Sequence, residues 1–200
     1  MPLNGRRLGE LNAKRAVVVV DTETTGLGHL DRYGPRPDGV VQVGYAYRDA
    51  RGRVEQWSQT CNPGPEYLAG GSARTALAIN GISPRTILRA PKAGEVAKVL
   101  HRRLGEVEEK MGHPLVLRSY NRAFDEPFLR AAPWKVPSDW WGSCIMVQAA
   151  NHLNGPGGRW LKLEHALDRL GLRWPAGAAH TVAVDAHAAL LVHEALGGLW

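Results

Sequence analysis

Ala16–Val20 is an unbroken apolar run, AVVVV, rich in β-branched residues, and it passes directly into Asp21-Thr-Glu-Thr-Thr-Gly26. A strand without a polar face has to be covered on both sides, which puts it inside a sheet flanked by helices. The acids that follow then sit at the carboxyl end of a buried strand, where open α/β sheets bind ligands. Because alternate strand residues share a face, Asp21 and Glu23 project together if the chain stays extended. Two carboxylates held side by side repel each other unless a cation lies between them. Taken alone, the segment also has a reading as a polar strand exit, with Thr and Gly making a turn.

The rest of the chain fits that architecture. Val40–Arg48 and Val54–Cys61 have strand character, with Asp49–Gly52 as the hairpin turn between them. The Gly- and Pro-rich stretch 26–39 is read as a loop. The period then becomes helical, over Ser72–Ile79 with Asn80-Gly81 as its C-cap, and over Gly94–Met111 with an apolar stripe of Val96, Val99, Leu100, Leu104 and Val107. The charges of that longer helix form a solvated face. Leu115–Ser119 is a further strand, Phe124–Ala131 a short helix and Trp141–Cys144 a candidate last strand; helices follow at 145–153, 161–171 and 183–197. The fold class is therefore α/β, a mixed central sheet of about five strands flanked by helices. Residues 1–15, with Arg6, Arg7, Lys14 and Arg15, form a basic, loosely held arm, and residues 16–200 form a single domain.

Composition narrows the class of function. A formal charge of +6 and pI near 9.6 favour a polyanionic partner. Cys61 and Cys144 are too few for a disulfide framework or a thiolate metal site, and read as neutral thiols in a reducing compartment. No run reaches the roughly 18 apolar residues of a membrane span, and no cleavable leader is evident, so a cytoplasmic location is expected.

Two further packets carry chemistry. In SYNRAFDEPFL, Asp125 follows Phe124 near the start of a short helix, where its simplest role is compensation of the helix dipole, with Asn121 as an N-cap. In HTVAVDAHAAL, His180 and Asp185 are five residues apart, so they reach one centre only if His180 lies on the loop and Asp185 on the helix that begins near Val182. A histidine of ordinary pKa suits a base that removes a proton from water. His187 and His193 are read as helix-surface residues. Arg118, Arg122 and Arg130 lie near the second packet and are candidates to meet phosphates.

Together, Asp21-Thr-Glu23, Asn121 with Asp125, and the His-x4-Asp of His180 and Asp185 resemble the three motifs of the DEDDh branch of the DnaQ-like 3′–5′ exonucleases. VVQVGYAY, AINGIS and LKLEHALDRLGL occupy the matching intervals, so the resemblance extends over about residues 16–197. It implies an RNase H-like fold and two divalent ions, Mg²⁺ or Mn²⁺, held by Asp21, Glu23, Asp125 and Asp185. It further implies His180 as general base and release of nucleoside 5′-monophosphates from single-stranded DNA 3′ ends, in proofreading or repair. The backbone of Thr22, Thr24, Thr25 and Gly26, the side chain of Leu27, and Asn80, Asn121 and Phe124 would bind the terminal nucleotide. Gln42 and Asn80 depart from the Glu and His common at those family positions. An RNA-directed enzyme of the oligoribonuclease or ribonuclease T type shares the same packets, and a non-catalytic replisome module is the alternative outside enzymes. Contact with a polymerase or replisome, and the choice between monomer and homodimer, stay open at this point. The chain ends at Trp200, so tethering through a long tail is not expected.

Overall fold

The computed structural model describes residues 15–28, 30–31, 34–35, 38–176 and 181–198. Its centre is a four-stranded sheet of β1 (Ala16–Thr24), β4 (Val40–Arg48), β5 (Val54–Thr60) and β6 (Leu115–Arg118), in the order β5-β4-β1-β6. β1 pairs antiparallel with β4 and parallel with β6, so the sheet is mixed. Two short strands, β2 (Leu30–Asp31) and β3 (Gly34–Pro35), form a separate ladder inside the stretch expected to be a plain loop.

The burial of β1 on both faces explains its composition. Val18 and Val20 pack in one cluster with Leu100 and Leu104 of α3 (Ala93–Met111) and with Trp134. Val17 and Val19 pack in another, formed by α5 (Ile145–Asn154), α6 (Leu163–Arg169) and α7 (Val182–Ala195). Each fully buried aliphatic side chain contributes on the order of 1.5–3 kcal/mol, and no residue of this strand interior could be polar without losing it. A third, smaller cluster joins Val41 to Leu77 of α1 (Gly71–Asn80) and Ile87 of α2 (Pro84–Arg89). The remaining helix, α4 (Arg122–Arg130), follows β6 directly.

Several sequence expectations need correction. Trp141–Cys144 does not form a fifth strand: its pairing with Leu117 stops at a single bridge, with the Gly142 N–H donating to Leu117 O at 2.8 Å. The next donors, Ile145 and Met146, reach the carbonyls of Ser119 and Tyr120 as the chain enters α5. α2 has no counterpart among the expected elements, although its signals are local: Ser83 accepts from the Thr86 N–H as an N-cap, and Pro84 follows within the first turn. Asn121 does occupy the N-cap of α4, but its side chain makes no capping hydrogen bond.

Other local expectations match the structure. Gly81 ends α1 in the left-handed region at φ 66°. The Asp49 carboxylate accepts from the N–H groups of Arg51 and Arg53, closing the hairpin turn. Both cysteines are free, and burial pushes the Cys61 thiol up to about 12. No helix among the described residues is long and apolar enough to cross a membrane.

Candidate active site

The alternation that buries Val17 and Val19 against α7 continues past the end of the apolar run and aims Asp21 and Glu23 at the same side. There they meet Asp185, from the first turn of α7; ligand oxygens of the three carboxylates all lie within 4.8 Å of one another. Two features of β4 let α7 come this close. Gly44 lies directly across from Asp21, and a Cβ there would stand 2.6 Å from Trp57 O and 2.8 Å from Val182 Cγ2. Only a glycine leaves room for the start of α7 at this register. Gln42, directly across from Glu23, accepts from the Val182 N–H at 3.5 Å and donates to Thr60 Oγ1 at 3.3 Å. A Glu at this position would place another charge beside the trio, whereas the amide links the helix to the sheet without one.

Thr22 has the opposite parity. Its hydroxyl donates to Asp125 Oδ1 at 2.8 Å, so the second acid of the sequence pattern packs beneath the strand and is 2% exposed. Asp125 is outside the trio, yet close enough for its charge to act on both Asp21 and Glu23.

The electrostatics follow from this crowding. Burial first, then the charges of Asp125, Asp185 and Glu23, raise the Asp21 carboxyl well above the usual carboxylate range. Burial, Asp185 and Asp125 push Glu23 up to about 8. Asp125 rises to about 7, driven by burial and opposed by the hydrogen bonds it accepts. Four acids gathered from β1, α4 and α7 therefore strain against ionisation, a state that a divalent cation relieves. The donors are all hard carboxylate oxygens, which fit Mg²⁺ or Mn²⁺.

Around the acids, the polar side chains of the first packet turn inward. Thr24 Oγ1 donates to Gly26 O, and Thr25 Oγ1 donates to Asp38 Oδ1 at 3.4 Å while accepting from the Gly39 N–H at 2.9 Å. Asn80 Nδ2 donates to Thr24 O at 3.1 Å, so this departure from the family pattern fastens α1 to the end of β1. Leu27, by contrast, is exposed. It lines a pocket with Asn121 and Phe124; the Phe124 ring also meets Phe128 at a tilt of 55°, with centroids 5.3 Å apart. His180 lies outside the described residues.

The arginines near the second packet have internal duties. Arg118 is 1% exposed and donates to Gln148 Oε1 at 2.7 Å, so it is removed from any phosphate. Arg122 donates to Glu126 at 2.6 Å and to Gly142 O at 2.7 Å, and the more exposed Arg130 shares Glu126. His193, read from the sequence as a surface residue, is buried against Arg118 with Nδ1 3.4 Å from the guanidinium. No helix-period signal marks this position, because α7 is apolar on most of its circumference.

No family model matches the chain, and no curated protein matches it either. Solved structures do share its fold. E. coli exonuclease I in complex with a dT13 oligonucleotide superimposes with a TM-score of 0.64 at 20% identity, covering 90% of this chain and 40% of that one. The chain thus spans less than half the length of that enzyme. The nuclease domain of 3′hExo, a DEDDh family member bound to rAMP, gives 0.66 at 14% identity, with 91% and 92% covered. A 3′-exonuclease solved in 3′-end specific recognition of a histone mRNA stem-loop gives 0.67 at 14% identity, with 96% and 69% covered. At these identities the likeness is one of fold, the RNase H-like arrangement of a mixed sheet between helices.

Proposed function

We propose that this chain is a metal-dependent 3′–5′ exonuclease acting on single-stranded DNA ends and releasing nucleoside 5′-monophosphates. The observation that carries the reading is the meeting of Asp21, Glu23 and Asp185, from elements far apart in sequence, at the end of the central strand. It is supported by a fold shared with nucleases crystallised with an oligonucleotide and with a nucleotide.

Asp21, Glu23 and Asp185 would hold one divalent ion, and Asp125, on its Thr22 hydrogen bond, would contribute to a second. Such ions supply Lewis-acid stabilisation of the phosphate and a water of lowered pKa. The chain's own part is positional. Gly44 and Gln42 set the height of α7, which fixes Asp185 against β1. Asn80 holds the Thr24 carbonyl and with it the turn that presents Leu27 to a terminal base. His180, by resemblance, takes the proton of the attacking water, while the leaving 3′ oxygen departs with the shortened strand. The net charge of +6 favours approach of a polyanion.

The test is degradation of a 5′-labelled oligonucleotide with Mg²⁺, with and without chelator, by the wild type, Asp21→Ala and His180→Ala. A ladder shortening from the 3′ end, lost with chelator and in both variants, is expected. Cleavage that survives chelation, or an active Asp21→Ala, would overturn the reading. Matched DNA and RNA oligomers in the same assay assign the substrate, since one fold relative is seen with a dT13 oligonucleotide and another recognises a histone mRNA stem-loop.

A further inference from the structure

Against α4, the helix that carries Asp125, lies a pocket of about 410 Å³ lined by Leu27, Asn121, Ala123, Phe124, Pro127, Phe128 and Trp160, together with the backbone of Gly28. Its size falls within the roughly 300–1,000 Å³ of small-ligand sites. Among the described residues none of its lining side chains is charged, and its polar groups are the Asn121 amide and the Trp160 indole N–H. Gly28 closes the floor: at φ 62°, a Cβ there would stand 2.3 Å from the Phe128 ring.

Trp160 is the feature that neither the motifs nor the acid cluster explain. It is 66% exposed, as Leu27 is 65% exposed, and both line this pocket. A tryptophan left open to water at such a wall forgoes stabilisation it would gain by burial. Its exposure is not a fraying of the loop between α5 and α6, because the chain is fastened on either side of it. Asn154 Nδ2 donates to Arg159 O at 2.8 Å, and Tyr120 Oη donates to Leu161 O at 2.7 Å. Leu161 itself packs on the core. The indole is thus held out on a rigid support, near the helix that carries Asp125.

We infer that Trp160 is a stacking platform for an unpaired nucleobase next to the scissile nucleotide, with Leu27 and Phe124 lining the same pocket. The inference rests on the nuclease reading above and deepens it by assigning a specificity-determining residue. An uncharged, aromatic pocket grips bases by their faces and not by phosphate, so it accepts any base that is free of a partner. A paired base cannot enter, which gives the enzyme a preference for single-stranded ends without hydrogen-bond readout of sequence.

The experiment uses wild type, Trp160→Ala and Trp160→Phe with two probes. One is a short 5′-fluorescein-labelled oligothymidylate, followed both for binding by anisotropy with Ca²⁺ and for cleavage with Mg²⁺. The other is the methyl ester of thymidine 5′-monophosphate, which has neither a neighbouring base nor any other ring on the leaving oxygen. Trp160→Ala should weaken oligonucleotide binding about 10-fold and raise KM similarly with kcat little changed, as expected for loss of one stacked base. Hydrolysis of the ester should be unaffected, and Trp160→Phe should recover most of the affinity. Oligonucleotide binding by Trp160→Ala within about twofold of wild type overturns the inference, as does an equal loss on the ester. If wild type binds the oligonucleotide through Trp160 but cleaves neither probe, the nuclease reading falls and the stacking site stands. If wild type cleaves the oligonucleotide and Trp160→Ala matches it, only the stacking site falls. A wild type that binds no oligonucleotide defeats both.

Discussion

The two ends of α7 bury titratable groups in opposite ways. At the C-terminal end, His193 sits against Arg118 and is driven down to about 4 by burial and by the guanidinium, so it stays neutral. One residue on, Glu194 accepts two hydrogen bonds from Arg48, at 2.6 Å each. Charge there is either discharged or matched. At the N-terminal end, Asp185 joins Asp21 and Glu23 among like charges, and Glu23 rises to about 8. The same helix thus solves its electrostatics at one end and leaves them unsolved at the other. A protein keeps mutual repulsion of this kind where a ligand of opposite charge repays it, which makes the contrast an argument for function and not for stability.

The sharpest way to break that contrast is Asp21→Asn. Removing one ligand of a proposed ion site costs several kcal/mol of transition-state stabilisation, about 10³-fold in rate. Removing one like charge should leave the chelated protein no less stable, and the protection against melting that Mg²⁺ or Mn²⁺ gives the wild type should shrink. Thermal melting with and without ion reads both effects; a variant that melts lower in chelator means the carboxylates were structural. Arg118→Ala tests the other end. It deletes the Gln148 hydrogen bond and leaves a cavity in the α5–α7 layer, with an expected loss of about 3 kcal/mol, or roughly 6–12 °C in Tm. Its rate per folded molecule should be preserved. A variant that melts normally but cleaves poorly would mean that the two ends are not separable.

A change between the two ends sharpens the comparison further. Gly44→Ala inserts a Cβ that would meet Trp57 O at 2.6 Å and Val182 Cγ2 at 2.8 Å, so β4 and the first turn of α7 must separate. Overpacking of this kind costs about 1–3 kcal/mol. Because the displaced turn carries Asp185, activity should fall by more than the folded fraction does, whereas the His193 end should keep its pH behaviour. Circular dichroism and single-turnover cleavage on the same sample distinguish a loss of fold from a loss of alignment.

These regions also differ in how far the sequence exposes them. The run Ala16–Val20 announces a doubly covered strand, and period-two alternation is enough to put Asp21 and Glu23 on one side of it. Asp185 is legible only through its spacing from His180 within a motif, since a helix start by itself shows no destination. Asp125 looks like a helix-dipole acid, and only the tertiary approach of Thr22 gives it a place beneath the strand. Arg118 and His193 mislead for a common reason: a charged or titratable residue has a high prior for the surface. Their burial depends on Arg118 of β6 meeting Gln148 of α5 and His193 of α7, which no local pattern encodes. Trp141 pairs for one bridge and then the chain turns at Gly142; the four residues Trp-Gly-Ser-Cys are too short a window to tell a strand from a passing contact. Trp160 carries no sequence signal at all among seven tryptophans; exposure and neighbours alone single it out.

A last prediction concerns pH. His193 titrates near 4 when folded and near 6.5 when unfolded. Above 6.5 both states are neutral there and the residue adds no pH dependence. Between 6.5 and 4 the unfolded chain takes up the proton and the folded chain does not, so acidification destabilises the native state; below 4 the effect levels off. The facing charges are Arg118, which lowers the value, and Glu194, which raises it. Comparing the melting of wild type and His193→Leu in chelator over this window cancels the contributions common to both, including those of the acids at the far end of α7. The wild type should lose ground to the variant steadily as pH falls from 6.5 to 4. Parallel curves would mean that His193 takes its proton as readily folded as unfolded, and the contrast between the discharged and the strained end of α7 would lose one of its two terms.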